Sequence, residues 1–243
     1  MTIKVGLCGF TMSALRYPQY FPVVEVQQTF YQPPATSVIT RWRAQMPAAF
    51  ELTVKAWMLV THLAKSPTYR RLRRPLTPRE VADAGAFQDT PIVDEGWRAS
   101  LEAARILRAN KILFQTPASF RPTPQNLQAM HRFFTRIDRG GMQLMFEPRG
   151  PAWTPEIVRP LVGDLALVHV VDPFVGPTTS TDLTYYRLHG ITGNRHVYSR
   201  EELHRLAAMV PDDRDAYVMF NNIPRVGDAE RFKLLLEMKT LAA

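Results

Sequence analysis

Eight short runs of apolar and β-branched residues recur along the chain, at 3–9, 22–28, 50–56, 111–116, 142–147, 165–171, 184–189 and 216–220. Each reads as a strand buried on both faces, because the runs are short, bounded by turn residues and nearly continuous in apolar character. Between most of them lie stretches with apolar residues every three or four positions, at 36–46, 97–110, 124–139, 199–209 and 227–240, which predicts helices. Start signals agree with that reading. Thr123 precedes Pro124, Thr154 precedes Pro155, and Ser199 stands three residues before Glu202 in a capping-box pattern.

Strand then helix, repeated, implies parallel pairing. Eight such strands in 243 residues suit a closed (β/α)8 barrel of the TIM type better than an open doubly wound sheet. The open sheet usually carries a Gly-rich phosphate turn after its first strand, and no such turn is present. Residues 10–21 are too short and too rich in Pro and Tyr for a crossover helix, and 173–183 read as irregular loop. The barrel is therefore expected to be irregular, with one or two helices short or missing. A single domain over 1–243 is expected, since the length is ordinary for one core. The largest insertion, 63–96, contains Pro67, Pro75, Pro78 and Pro91 and follows the third strand, where long loops often form lids or binding walls.

Composition narrows the class. With 46% hydrophobic and 21% charged residues there is material for one sizeable core, and no apolar run reaches membrane-spanning length. The opening Met1-Thr2-Ile3-Lys4-Val5-Gly6 leads into a strand-like stretch rather than a signal peptide, so the cytoplasm is the expected location. The one cysteine, Cys8, sits in an apolar run and reads as a small buried side chain. A net charge of +8 raises nucleic acid or another polyanion as a partner. The densest basic run is Arg70, Arg71, Arg73 and Arg74 beside Tyr69, and it lacks repeated interleaved aromatics. A solvated loop is the first reading of that run, with nucleic-acid binding as the alternative.

Charges at the ends of buried strands need a reason. Glu25 and Gln27 share a face, as do Thr53 and Lys55, then Tyr185, Arg187 and His189, then Met219 and Asn221. Gln115, Glu147 and Asp172 also fall at or just past the last residues of their runs. All lie toward C-terminal strand ends, the catalytic face of barrels of this type. A self-neutralising lining without chemistry is the plain alternative. Three carboxylates, Glu25, Glu147 and Asp172, meet three cations, Lys55, Arg149 and Arg187, with His62 and His189 free to titrate. A metal is therefore not required and no cofactor is called for. Metal binding through His189 with Glu147 or Asp172 is the minority reading. Cations beside neutral amides favour an anionic ligand, with Arg187 as a fork and Lys55 as a point charge.

The same strand ends carry a family resemblance. The stretches are Val24 through Tyr31, Arg41-Trp42, Phe50 through Lys55, Thr61-His62, Leu113 through Pro117, Phe146 through Arg149 with Trp153, Tyr186 through Gly190, Tyr198-Ser199, and Phe220-Asn221-Asn222. In this order and spacing the chain resembles the YecE-like family, catalogued as domain of unknown function 72, over nearly its whole length. The resemblance implies a (β/α)8 barrel and no settled reaction. Gln27 stands where the family usually has Asn, and Gly6-Leu7-Cys8-Gly9-Phe10 stands where it has a Gly-Thr-Ser-Gly-Trp-like opening. A variant ligand or lost activity are the readings those departures leave open.

The leading expectation is an enzyme, of hydrolase type, acting on a small-molecule or polymeric anionic substrate that contains phosphate or sugar. Glu147 or His189 would act as acid or base, and Lys55 and Arg187 would hold the anion. Gln115 and Asn221 would orient it, with Glu25, Gln27, His62, Arg149, Asp172 and Asn222 completing the binding set. A glycosidase would pair Glu147 with Glu25 or Asp172. The competing expectations are a nucleic-acid binder and a degenerate barrel kept for partner binding.

Overall fold

The computed structural model describes residues 2–241; Met1, Ala242 and Ala243, which the single-domain expectation included, lie outside the described residues. The strands are β1 (Ile3–Cys8), β2 (Val23–Val26), β3 (Glu51–Lys55), β4 (Lys111–Gln115), β5 (Gln143–Glu147), β6 (Val168–Val171), β7 (Leu183–Leu188) and β8 (Asp215–Phe220). They follow one another in sheet order and close into a barrel. Every described ladder is parallel, including the β1–β8 closure that sets Gly6 opposite Met219. Gly6 is required there: a Cβ would stand 2.2 Å from the Val23 carbonyl oxygen of the adjoining strand.

The helices are α1 (Gln28–Tyr31), α2 (Thr36–Ala44), α3 (Met58–Thr61), α4 (Pro78–Asp83), α5 (Pro91–Leu107), α6 (Pro124–Arg136), α7 (Pro155–Asp164), α8 (Arg200–Met209) and α9 (Arg225–Leu241). Among the described residues the β1–β2 connection holds only a 3-10 turn, Tyr17–Gln19, and the β6–β7 connection holds no helix. These are the two irregular places expected. The capping box at Ser199 and Glu202 forms, and Thr123 caps α6 by accepting from the Asn126 amide. Thr154 precedes α7 without a side-chain bond to its amides. No described helix is long and apolar enough to cross a membrane.

By internal packing the chain divides into two compact units. One comprises Met1–Glu25, Gln45–Glu51 and His169–Ala243. Its buried residues include Tyr17 and Phe21, and Tyr198, Phe220 of β8 and Phe232 of α9, with the Phe220 ring in contact with those of Tyr198 and Phe232. The Tyr17 hydroxyl accepts from the Leu7 amide and donates to the Val23 carbonyl, so the short 3-10 connection is tied to its strands despite lacking a helix.

The other unit comprises Val26–Ala44 and Leu52–Val168. Its centre is aromatic. Phe87, Phe114, Phe133 and Phe134 meet at centroid distances of 5.0 to 6.1 Å, mostly tilted or edge to face, which suits ring quadrupoles better than face-to-face stacking. The segment after β3 is more regular than its prolines suggest. It contains the 3-10 turn Pro67–Arg71 and the capped α4, and α5 begins at Pro91, six residues before the expected helix start. Pro91 is the first residue of a helix rather than a loop breaker. Tyr69, Leu72 and Leu76 pack against Phe30, Trp57 and Met58, so the insertion is anchored along its length.

Candidate functional site

In the first unit, Glu25 and Arg187 form a buried pair. Arg187 donates from Nε to Glu25 Oε2 at 3.0 Å and from Nη2 to Oε1 at 2.8 Å, and the Tyr185 hydroxyl donates to Oε2 at 3.0 Å. Both charged side chains are 0% exposed. Burial of an ion pair is tolerated only when the geometry is good and the remaining lone pairs are occupied, and here a two-point fork and a phenol do that. The fork expected to take a substrate anion is directed at Glu25.

The remaining polar groups of this unit lie one or two residues past their strands. Asp172, just after β6, accepts from the His189 amide through Oδ2 at 2.8 Å and from the Phe174 amide through Oδ1 at 3.1 Å. Its carboxylate thus fixes the backbone at the end of β7. The His189 side chain meets Asn221, with Asn221 Nδ2 3.0 Å from His189 Nδ1. Asn221 thus holds the His189 ring through its Nδ1 edge. Asn222 turns the other way: its Nδ2 donates to the His196 carbonyl at 2.9 Å and to Asp228 Oδ2 at 2.5 Å. It joins the loop after β7 to the start of α9. Tyr198, whose hydroxyl accepts from the Gly190 amide, is pushed up in pKa by burial and then by the Asp172 charge, so it stays a phenol.

In the second unit, Lys55, Gln115 and Glu147 are the last residues of three successive strands. Lys55 Nζ donates to Gln115 Oε1 at 2.7 Å and lies 3.7 Å from the centre of the Phe30 ring. Gln115 stands opposite Glu147 in the β4–β5 register. Glu147 is buried and pairs with Arg149 Nη2 at 2.9 Å, while Arg149 is a third exposed. Gln27 follows β2 directly and is half-buried at the head of α1. Thr29 Oγ1, in α1, lies 2.7 Å from the Lys55 carbonyl and 2.9 Å from that of Val26, which ties the end of β3 to that of β2.

His62 sits at the end of α3, edge-on to Phe30 at 5.0 Å and with Nδ1 2.8 Å from Thr61 Oγ1. Its pKa is lowered to about 4, first by burial and then by the Lys55 charge. The imidazole is therefore neutral at neutral pH. Its carbonyl accepts from the Tyr69 hydroxyl at 2.7 Å, and Gly85 closes over that carbonyl at a φ of +82°. A Cβ on Gly85 would stand 2.1 Å from the His62 oxygen. The basic run is partly engaged. Arg74 bridges Glu80 and Glu95, and the Arg71 guanidinium lies 3.6 Å from the Tyr31 ring centre.

Two participants escaped sequence reasoning, Phe30 beneath Lys55 and Asp228 behind Asn222, while alternation places Tyr185 on the Arg187 face without its role on Glu25. Phe30 stood in a stretch already singled out, but nothing in spacing alone joins an aromatic to a cation 25 positions away. Among the described residues no three His, Cys, Asp or Glu side chains gather as a metal-binding group.

Fold and strand-end residues together define a (β/α)8 barrel protein with ionisable groups at the C-terminal ends of its strands. The family described as "Protein of unknown function DUF72" matches residues 14–242, and the chain belongs to that family, the YecE-like one. A DUF72 family protein from Enterococcus faecalis is similar at 19% identity, covering 96% of this chain and 93% of that one, with a TM-score of 0.73. One from Thermotoga maritima is 21% identical, covering 98% and 100%, at 0.69. Endonuclease IV from Thermus thermophilus is 12% identical, covering 97% and 99%, at 0.57. No curated protein sequence matches.

Proposed function

We propose that this protein is an enzyme acting on an anionic, phosphate- or sugar-containing substrate, with an anion seat at the ends of β3 to β5 and Glu147 as the acid/base group there; His189 is the candidate acid/base group of the first unit. The observation that carries the reading is the setting of Lys55. Its ammonium is buried at a strand end, aligned by an amide oxygen and an aromatic face, and its charge contributes to keeping His62 neutral. A positive charge fixed in a dry setting attracts an anion more strongly than one in water. Gln115 orients that charge, and Arg149 adds a second cation beside Glu147. Paired with a guanidinium, Glu147 is suited to accept a proton rather than give one. His189 is the group suited to deliver one near neutral pH or to hold a substrate oxygen.

Glu25 and Arg187 leave the set of substrate contacts in this reading and become the tie between β2 and β7. Asp172 and Asn221 act through His189, one on its backbone and one on its ring. The test is a turnover screen of phosphomonoesters, phosphodiesters and sugar phosphates with wild type, Glu147→Gln and His189→Gln. The reading expects turnover that both variants abolish while their folding is kept; turnover unchanged in both would overturn it.

A second reading, nucleic-acid binding, is favoured by exposed Arg70 and Arg73 beside the Arg71–Tyr31 stack, and a barrel of like fold is named an endonuclease. Titration of mixed oligonucleotides against salt decides it, because binding through phosphates weakens steeply as salt rises. Absence of affinity at low salt would sink it.

A further inference from the structure

The outer face of the first unit carries a groove unrelated to the strand ends. It runs between α8 and α9, has a volume of about 440 Å³, and is floored by Leu203, Leu234, Leu235 and Met238. Arg200, His204, Arg231 and Lys239 complete the lining, with no carboxylate among the lining residues. Arg231 is partly engaged, donating to Asp228 and to the Tyr198 carbonyl. Leu234, Met238 and Leu241 stand at i, i+4 and i+7 along α9 and are 59%, 66% and 90% exposed. Apolar residues at that spacing are the stripe a helix ordinarily turns inward. Here the stripe faces water.

Shape and charge both select the occupant. A small molecule is normally enclosed over most of its surface, whereas two of the floor residues here are more than half exposed, so a ligand of that size would stay wet. A helix about 10 Å across would cover the floor, and apolar anchors one to two turns apart match the spacing on α9. The basic lining calls for an acidic flank. A second copy of the same face would instead bring two basic grooves together, which like charges oppose.

We propose that the α8–α9 groove docks an acidic amphipathic helix of a partner protein, with its apolar side chains against Leu234 and Met238 and its carboxylates toward Arg200, His204 and Lys239. The probe is a fluorescein-labelled helix-forming peptide of about 14 residues, long enough for roughly four turns, with Leu at i, i+4 and i+7 and Glu on the flanks. A matched peptide carries Lys for each Glu. Fluorescence anisotropy should show binding of the acidic peptide only, weakening as salt rises and by about tenfold or more in the Leu234→Glu/Met238→Glu double variant. Both substituted positions are exposed, and a thermal melt by circular dichroism checks that the fold survives. No binding, equal binding of the two peptides, or indifference to the double variant would overturn the proposal. So would concentration-dependent dimers, seen by light scattering, that the double variant abolishes.

Discussion

Arg187 on β7 and Lys55 on β3 are both buried cations near strand ends, yet their surroundings differ in kind. Arg187 is fully enclosed and gives a two-point fork to Glu25, whose second oxygen also takes the Tyr185 hydroxyl. Lys55 gives its ammonium to an amide oxygen and an aromatic face, and its charge is felt by His62. A guanidinium forked onto a carboxylate has its charge answered in place, so its main work is to tie strands. The Lys55 ammonium, bonded to the Gln115 oxygen and set over the Phe30 ring, is the cation proposed to meet an anion. Identical formal charge therefore marks structure in one place and the proposed chemistry in the other.

The largest effect expected from breaking this contrast is on the structural side. Arg187→Met leaves Glu25 buried without its counter-charge and should cost about 3–5 kcal/mol, read as a lower urea midpoint. The Glu25→Gln/Arg187→Met double variant should recover much of that loss, because no lone charge remains. A single variant as stable as wild type would show that the pair does not hold the strands.

Next in size is the pH response of His62. Folding lowers its pKa from 6.5 to about 4, so the unfolded chain binds more protons between those values. Stability should fall as pH drops through that window, by up to about 3 kcal/mol, and be insensitive to this group above it. His62→Gln should flatten the slope in chemical denaturation between pH 6.5 and 4. An unchanged slope would mean that another group carries it.

Gly85→Ala should cost about 2 kcal/mol or more, since φ is positive there and the new methyl meets the His62 carbonyl. Faster limited proteolysis within 63–90 is the accompanying sign. The smallest stability effect is expected for Lys55→Met, within about 1–2 kcal/mol, because the replacement keeps much of the side-chain shape. Its consequence should fall on anion binding instead.

Much of the fold was legible because buried parallel strands write themselves as short apolar runs. The errors fall where burial and strand part company. Leu165 and Leu167 are buried, but Ala166 between them has a φ of +46°, so β6 begins only at Val168. Pro91 read as loop punctuation because its role as a first helical residue depends on the turn before it. The strand-end residues were legible by alternation, and the charge count anticipated paired groups. Which acid meets which cation was not, because Glu25 and Arg187 lie 162 positions apart. The neutrality of His62 was equally hidden, since it follows from burial and from a lysine placed by another strand.

Isothermal titration of inorganic phosphate tests Lys55 as an anion seat directly. Wild type should bind phosphate, Lys55→Met should lose about tenfold or more in affinity, and Lys239→Glu on the outer face should bind as wild type does. Equal phosphate affinity in wild type and Lys55→Met, or none in wild type, would contradict it.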